Sequence, residues 1–474
     1  MPSPRLSIPP EVLASSGDKL QISIMRMWQS SEPTDRRKVA MEDLRILLSK
    51  TINEKFDPAL TVNGNEGEGN RFTVDIAGST SWGGEIGPST DVDFVILDRN
   101  FPRGYEPSVW LQPIGSSIEL SIDKIREIRY HPSKNPLLPD CYSLKPLSTC
   151  IEGLGMTETE RKPYLPIPLL KFFDPIRNLE CDLQCNDLTG VYNNSYILAY
   201  TKLSPYVLRP MLNTIKNWYR IQSGKANNPK RSIFGLSSYP MCLMCIAYLQ
   251  HIGHLPNLQQ DVRAKVYATE EEWLGDEELV WVEWGSNRGL DAHTTFNKSL
   301  PSGWQSSNAS LTAAQAVRGF FKYFSPDPAP NRKTPNPKDD KVHFNTSKQI
   351  ISPLSGGIIP RATRYKDHQQ EDDLQSYLRK RNFTQVQIEE IMEEHKKIKF
   401  GSGSTGKGDQ GIQPDKWVDE MLVIQDPLKW QKNHASGIPY YTCNKFFDRI
   451  SETHKILETL GEEATVQDIL KKLA

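Results

Sequence analysis

Gly78-Ser79-Thr80-Ser81-Trp82-Gly83-Gly84-Glu85-Ile86-Gly87-Pro88-Ser89-Thr90-Asp91-Val92-Asp93-Phe94 opens on a turn of small residues and closes on two carboxylates flanking one apolar residue. Just before this stretch, Phe72, Val74 and Ile76 alternate with Thr73 and Asp75, a period of two that predicts a strand. After the acids, Phe94-Val95-Ile96-Leu97 is the short apolar run of a buried strand. Side chains two apart on a strand point the same way, so Asp91 and Asp93 are expected on one face, where they could hold one or two Mg²⁺ ions. That pattern suits metal-assisted nucleotide chemistry.

Farther out, 474 residues predict roughly two to three domains, each able to bury a core. Lys plus Arg (57) nearly cancels Asp plus Glu (58), so contact with nucleic acid has to come from a local basic groove and not a global field. The seven cysteines sit mostly in apolar runs, and Cys242-x-x-Cys245 lacks a second pair at zinc spacing; reduced core thiols are expected. The first 16 residues show no basic-then-apolar signal pattern and no window approaches about 18 apolar residues, so an intracellular protein, cytoplasmic or nuclear and without a membrane, is the expectation.

Upstream of the strand, residues 38–57 carry helical periodicity that stops before Asp57-Pro58. Residues 99–160 are rich in Pro and Ser and predict loops with one helix or strand near 117–129. Residues 164–185 read as a hairpin turning at Asp174-Pro175-Ile176-Arg177-Asn178. In its second strand Leu179, Cys181, Leu183 and Cys185 share one face, and Glu180, Asp182 and Gln184 the other, which makes Asp182 a candidate third ligand. Farther on, residues 208–220 form an amphipathic helix with Lys216 and Arg220 one turn apart, a spacing that can grip a polyphosphate. Residues 234–250 predict a buried helix with Pro240 in its first turn and with Ser238 and Tyr239 at its start, where backbone N–H groups favour phosphate oxygens.

These elements in this order resemble the terminal uridylyltransferase and cytoplasmic-type poly(A) polymerase family, a branch of the DNA-polymerase-β-like nucleotidyltransferases. The resemblance spans most of the chain. It is carried by Gly78-Ser79 with Asp91-x-Asp93, by 166–173 ahead of Glu180-Cys181-Asp182, and by Arg209-Pro210 with Lys216-x-Trp218. Leu236-Ser237-Ser238-Tyr239, Phe320-Phe321-Lys322-Tyr323-Phe324, and Ile424-Gln425-Asp426-Pro427 followed by Asn433 complete it.

The resemblance implies an α+β fold: a nucleotidyltransferase palm, a mixed sheet with helices, joined to a mainly helical central and PAP-associated domain. The expected organisation is an N-terminal segment packed on the central domain (1–37), the palm (38–200) and the central helical domain (201–361). A charged helical and Gly/Ser-rich insertion (362–415) and a nucleotide-recognition segment with C-terminal helices (416–474) follow. By family position Asp91, Asp93 and Asp182 would bind Mg²⁺ or Mn²⁺, with Asp182 at the RNA 3′-hydroxyl. Gly78 and Ser79 would meet the β- and γ-phosphates, Asn193 and Asn194 the ribose, and Lys216, Arg220 and Ser238 the triphosphate. Tyr239 would stack on the base, with Asp426 and Lys432 at its edge.

Phe320 to Phe324 reads as core packing. Gly401-Ser402-Gly403-Ser404-Thr405-Gly406-Lys407-Gly408 imitates a phosphate loop but follows no strand and puts Gly408 where a metal-binding hydroxyl is needed, so it reads as linker. In uridylyl-transferring members a His before the late Asn excludes adenine by size; here that position is Lys432, Lys429 replaces an acid, and His434 lies two residues on. Arg220 stands for the usual Lys and Asn194 for the usual Thr. The expected activity is therefore AMP addition from ATP to an RNA 3′ end, with UTP transfer as the alternative and an inactive scaffold or RNA-binding subunit as the second. No RNA-binding module is visible, so an RNA-binding partner protein is expected.

Overall fold

Helix α1 (Lys19–Ser31) is capped by the Asp18 carboxylate, which accepts from Leu20 N–H at 2.9 Å, and α2 (Asp35–Phe56) by Thr34. The fold is that of a computed structural model describing residues 17–57, 70–87, 90–104, 139–163, 165, 167–224, 232–262, 276–281, 291–326, 343–361, 379, 384–386, 388, 389, 417 and 420–471. On α2, Met41, Leu44, Leu48 and Ile52 recur at helical spacing and are buried, forming the stripe that lies on the sheet.

The sheet has five strands: β1 (Phe72–Ile76), β2 (Val92–Asp98), β3 (Thr157–Lys162), β4 (Leu169–Asp174) and β5 (Leu179–Cys185), in the order β1-β2-β5-β4-β3. Only β2 and β5 run parallel; the other pairs are antiparallel, as a mixed palm sheet requires. Val92, Phe94 and Ile96 face the α2 stripe together with Leu179, Cys181 and Leu183, so period two sends Asp93 and Asp182 to the opposite face. The hairpin turn forms where expected: Asp174 Oδ1 accepts from Ile176 and Arg177 N–H, and Asn178 adopts a positive φ of 54°.

Two elements were not anticipated. Helix α3 (Leu144–Gly153) and edge strand β3 lie in the stretch read mostly as loop. The β3 sequence Thr-Glu-Thr-Glu-Arg-Lys is polar on both faces because both faces are open to solvent, so it carries no alternation to read. The element expected near 117–129, Pro166 of the 166–173 motif, most of 362–415 and the glycine-rich stretch 401–408 lie outside the described residues.

The second core is helical. It gathers α1, α4 (Leu188–Leu203), α5 (Leu208–Gln222), α6 (Ser238–His251), α7 (Ala313–Phe324), α8 (Tyr440–Leu460) and α9 (Val466–Leu470). Residues of α1 join this core, and so do Leu188, Tyr196, Ile197 and Tyr200 of α4. Helix α6 is apolar all round and buried from Pro240 to Gln250, each Leu, Ile or Met contributing about 1.5–3 kcal/mol of transfer free energy. Phe320, Phe321, Tyr323 and Phe324 are core residues of α7, and all seven cysteines are free, six of them buried.

Two short hairpins complete the described fold: β6 (Leu279–Trp281) with β7 (Asp291–His293), and β8 (Gln349–Ser352) with β9 (Gly357–Pro360). Gly357, at φ 127°, lets β9 lie directly on α6, where a Cβ would come within 2.8 Å of the Ala247 carbonyl. Ile351 of β8 bridges to Ile424, and Gln425 to Asn433, so the late Asp-Pro loop hangs from this hairpin. Among the described residues no helix is long and apolar enough to cross a membrane.

Candidate active site

Asp93 and Asp182 are register partners on the parallel pair β2 and β5, so their Cα atoms sit one strand spacing apart, about 4.8 Å. Asp91 lies one residue before β2 begins, on the approach loop and not on the strand face expected for it. Burial, then the charges of Asp182 and Asp91, push the Asp93 carboxyl up to about 6. Burial likewise raises Asp182. Glu180, two residues before Asp182, hydrogen-bonds Asp91, which raises the Glu180 carboxyl.

One cation neutralises part of this charge. Lys171 on β4 is the register partner of Asp182, and its Nζ donates to both carboxylate oxygens at 2.7 and 2.9 Å while standing 3.7 Å from Asp91. Among the described residues no three metal-ligating side chains converge on one point; the ammonium lies among the acids instead. The donor set nevertheless fits a hard divalent cation. It is all carboxylate oxygen, and strand register fixes Asp93 beside Asp182. Neither Lys171 nor Glu180 was singled out from the sequence, although their places opposite and beside Asp182 follow once the hairpin register is drawn.

The small-residue turn presses on the same acids. Gly78 has φ 63°, and a Cβ there would fall 1.7 Å from Asp93 Oδ2, so only glycine fits. Ser79 opens a 3₁₀ turn running to Trp82, whose ring is 3% exposed within the helical core. Helix α5 holds the far side of the turn: Asn213 Nδ2 donates to the Glu85 carbonyl at 2.7 Å, Lys216 Nζ to the Gly84 carbonyl, and that ammonium stands 4.9 Å over the Trp82 ring. Lys216 is thus buried, and burial lowers its proton affinity. Arg220, one turn on, is exposed. The structure therefore separates two cations read as one grip: Lys216 braces the turn while Arg220 faces solvent.

Away from the acids, the Tyr239 hydroxyl donates to Asn193 Oδ1 at 2.9 Å, and its ring meets His434 edge to face at 5.0 Å between centroids. Asn193 and Asn194 are half-buried on α4, and Ser238 is exposed as the first residue of α6. Asp426 is fully buried: Oδ1 accepts from Leu428 and Lys429 N–H at 2.8 Å each, and Oδ2 contacts His434 Nε2 at 2.7 Å. Despite burial, His434 and Lys429 hold its carboxyl far below the usual range. Asp426 is thus turned inward, and His434 is the side chain between it and Tyr239. Lys432 is half-buried, its backbone carbonyl accepting from Asp426 N–H at 3.0 Å. Lys429 is buried, its charge set against Asp187.

Residues 20–202 match the family described as "Poly(A) RNA polymerase, mitochondrial-like, central palm domain". Among curated proteins, the chain is 34% identical over 204 residues to poly(A) RNA polymerase GLD2-B of Xenopus laevis, covering 42% of this chain and 32% of that protein. It is 28% identical over 201 residues to GLD2-A of the same species, covering 42% of this chain and 31% of the relative. The matches thus span a third or less of the length of these relatives. A solved cytoplasmic RNA terminal U-transferase shares the fold with a TM-score of 0.53 at 14% identity, over 95% of this chain and 98% of that one. The structure of Cid1 with its short product ApU gives the same TM-score and identity over 95% and 97%. The palm match, the GLD2 relatives and the shared fold agree: the chain is similar to poly(A) RNA polymerases over residues 20–202 and shares the fold of the terminal U-transferases.

Proposed function

We propose that the chain transfers AMP from ATP to an RNA 3′ end without a template and releases pyrophosphate. The observation that carries this reading is the pairing of Asp93 with Asp182 across parallel strands, beside a glycine that no other residue could replace. Asp91, Asp93 and Asp182 would hold Mg²⁺ or Mn²⁺, which when bound supplies Lewis-acid activation and neutralises charge on the leaving pyrophosphate. The 3′-oxygen forms a bond to the α-phosphorus, the bond to the β-phosphate bridge breaks, and the hydroxyl proton passes to Asp182. Burial raises the affinity of Asp182 for that proton, which suits it to the task. Ser79 and the turn it opens would meet the β- and γ-phosphates, with Arg220 and Ser238 at the outer rim. Asn193, held by the Tyr239 hydroxyl, would meet the ribose, and Tyr239 would stack on the base.

Likeness to poly(A) RNA polymerases favours ATP, and Lys432 at the filter position supports the same choice. UTP transfer is the second reading, favoured by one observation: His434 lies against Tyr239, fixed by Asp426. A partner protein that supplies RNA affinity, and a cytoplasmic or nuclear place of work, belong to this proposal. The test is extension of a labelled single-stranded RNA with Mg²⁺ and each ribonucleotide separately, beside the Asp91→Ala, Asp93→Ala double variant. Extension with ATP that the double variant loses supports the reading; preference for UTP transfers it to uridylylation, and no extension with any nucleotide moves weight to the scaffold or partner-dependent reading.

A further inference from the structure

We infer that Lys171 is the resident cation of the carboxylate cluster, and that a divalent ion enters by displacing its ammonium from Asp182. Asp93 and Asp182 sit side by side on adjacent strands, Asp91 lies just before β2, and Glu180 is hydrogen-bonded to Asp91. Like charges this close repel, and a cation set among them lowers that cost. Strand register supplies one. Lys171 is the Cα partner of Asp182, so its stem rises on the same face, and its three donors reach both Asp182 oxygens and approach Asp91.

The ammonium is held but not buried: its side chain is 38% exposed, against 19% for Asp182. A four-carbon stem at that exposure swings out without unpacking the sheet. Both Asp182 oxygens are occupied while Lys171 is in place, so that carboxylate can neither ligate an ion nor take a proton from a hydroxyl. Lys171 is thus a positioning residue: it keeps the acids poised in the metal-free protein and sets the ion concentration at which the site switches on.

The inference rests on reading the cluster as a metal site, and the experiment separates the two. Binding of Mn²⁺ alone to the full chain is measured from loss of the free-ion paramagnetic resonance signal, for wild type, Lys171→Met, Lys171→Gln and Asp182→Asn. A unit charge at this distance shifts a carboxylate's affinity for a cation by about tenfold or more, so both Lys171 variants should bind Mn²⁺ about tenfold more tightly than wild type. Their melting temperature should fall in chelator and recover with Mn²⁺ by more than wild type gains. Lys171→Gln keeps a donor toward Asp182 without the charge, and serves if the methionine variant does not fold. If wild type binds Mn²⁺, Asp182→Asn weakens it, and neither Lys171 variant binds more tightly, the displacement idea is overturned while the metal site stands. If Asp182→Asn leaves binding unchanged, the metal reading falls and the inference with it.

Discussion

The two ends of the cleft are built by different means. The acid end is a product of strand register: period two lifts Asp93 and Asp182 off the core face, and parallel pairing sets them side by side. The base end is a product of side chains bonding to backbone. Asn433 Oδ1 accepts from Ile424 and Ala435 N–H while its Nδ2 donates to the Leu422 carbonyl; Gln425 donates to the Trp430 carbonyl and accepts from Ser352 Oγ. Register is robust to substitution of any one side chain, because the ladder is main chain. A loop shaped by amide side chains depends on each of them.

That contrast can be broken experimentally, beginning with the largest effect. Asp93→Asn should leave the melting temperature within a few degrees of wild type and cut RNA extension by about 10³-fold or more, since it removes only a charge from a site whose shape the sheet maintains. Single-turnover extension beside a thermal melt decides it; a collapse in stability would show that the acid end depends on its side chains after all. Gly78→Ala should act on both readouts. Its Cβ has no room beside Asp93 and the backbone is left-handed, so a loss of about 1–3 kcal/mol is expected with near-complete loss of extension.

Glu85 probes the seam between turn and helix. Burial pushes its carboxyl up to about 7 from an ordinary 4.5, with Lys216 only partly offsetting. The folded protein therefore binds this proton more tightly than the unfolded chain, so the stabilisation is complete below pH about 4.5 and is lost as pH rises through about 7. The full span is on the order of 3 kcal/mol. Urea midpoints at about pH 5 and about pH 8 should differ less in Glu85→Gln than in wild type; an unchanged difference would sink the assignment.

Asn433→Ala tests the loop end directly. Leaving buried Ile424 and Ala435 N–H groups unpaired should cost about 1–3 kcal/mol and raise KM for nucleotide more than it lowers kcat for the chemical step. His434→Ala should have the smallest effect, a change of less than about tenfold in the ATP-to-UTP preference with the melting temperature nearly unmoved. A larger swing would make His434 the main determinant of base choice.

The same contrast explains what could be read in advance. That Asp93 and Asp182 leave the core face, and that a glycine turn precedes them, was legible because local periodicity and spacing encode it. Lys171 was not, because its role arises only when β4 is laid against β5, a relation between residues 11 apart that no single window contains. Lys216 and Arg220 share a helical spacing, but which of them is buried depends on where α5 packs against residues 84 and 85, more than a hundred positions away. Edge strand β3 lacked a pattern because it has no buried face. Asp426 was recognisable as a motif residue, yet its inward turn is fixed by hydrogen bonds to residues 428, 429 and 434, which a motif does not describe.

Trp82 has a mechanical consequence. The ring anchors the glycine turn in the helical lobe, whereas Ala77 N–H, one residue before the turn, is bonded to the Asp93 carbonyl at 2.7 Å in the sheet. The Ala77–Gly78 junction is therefore tied to the sheet on one side and to the helical core on the other, so a displacement between the two strains this turn.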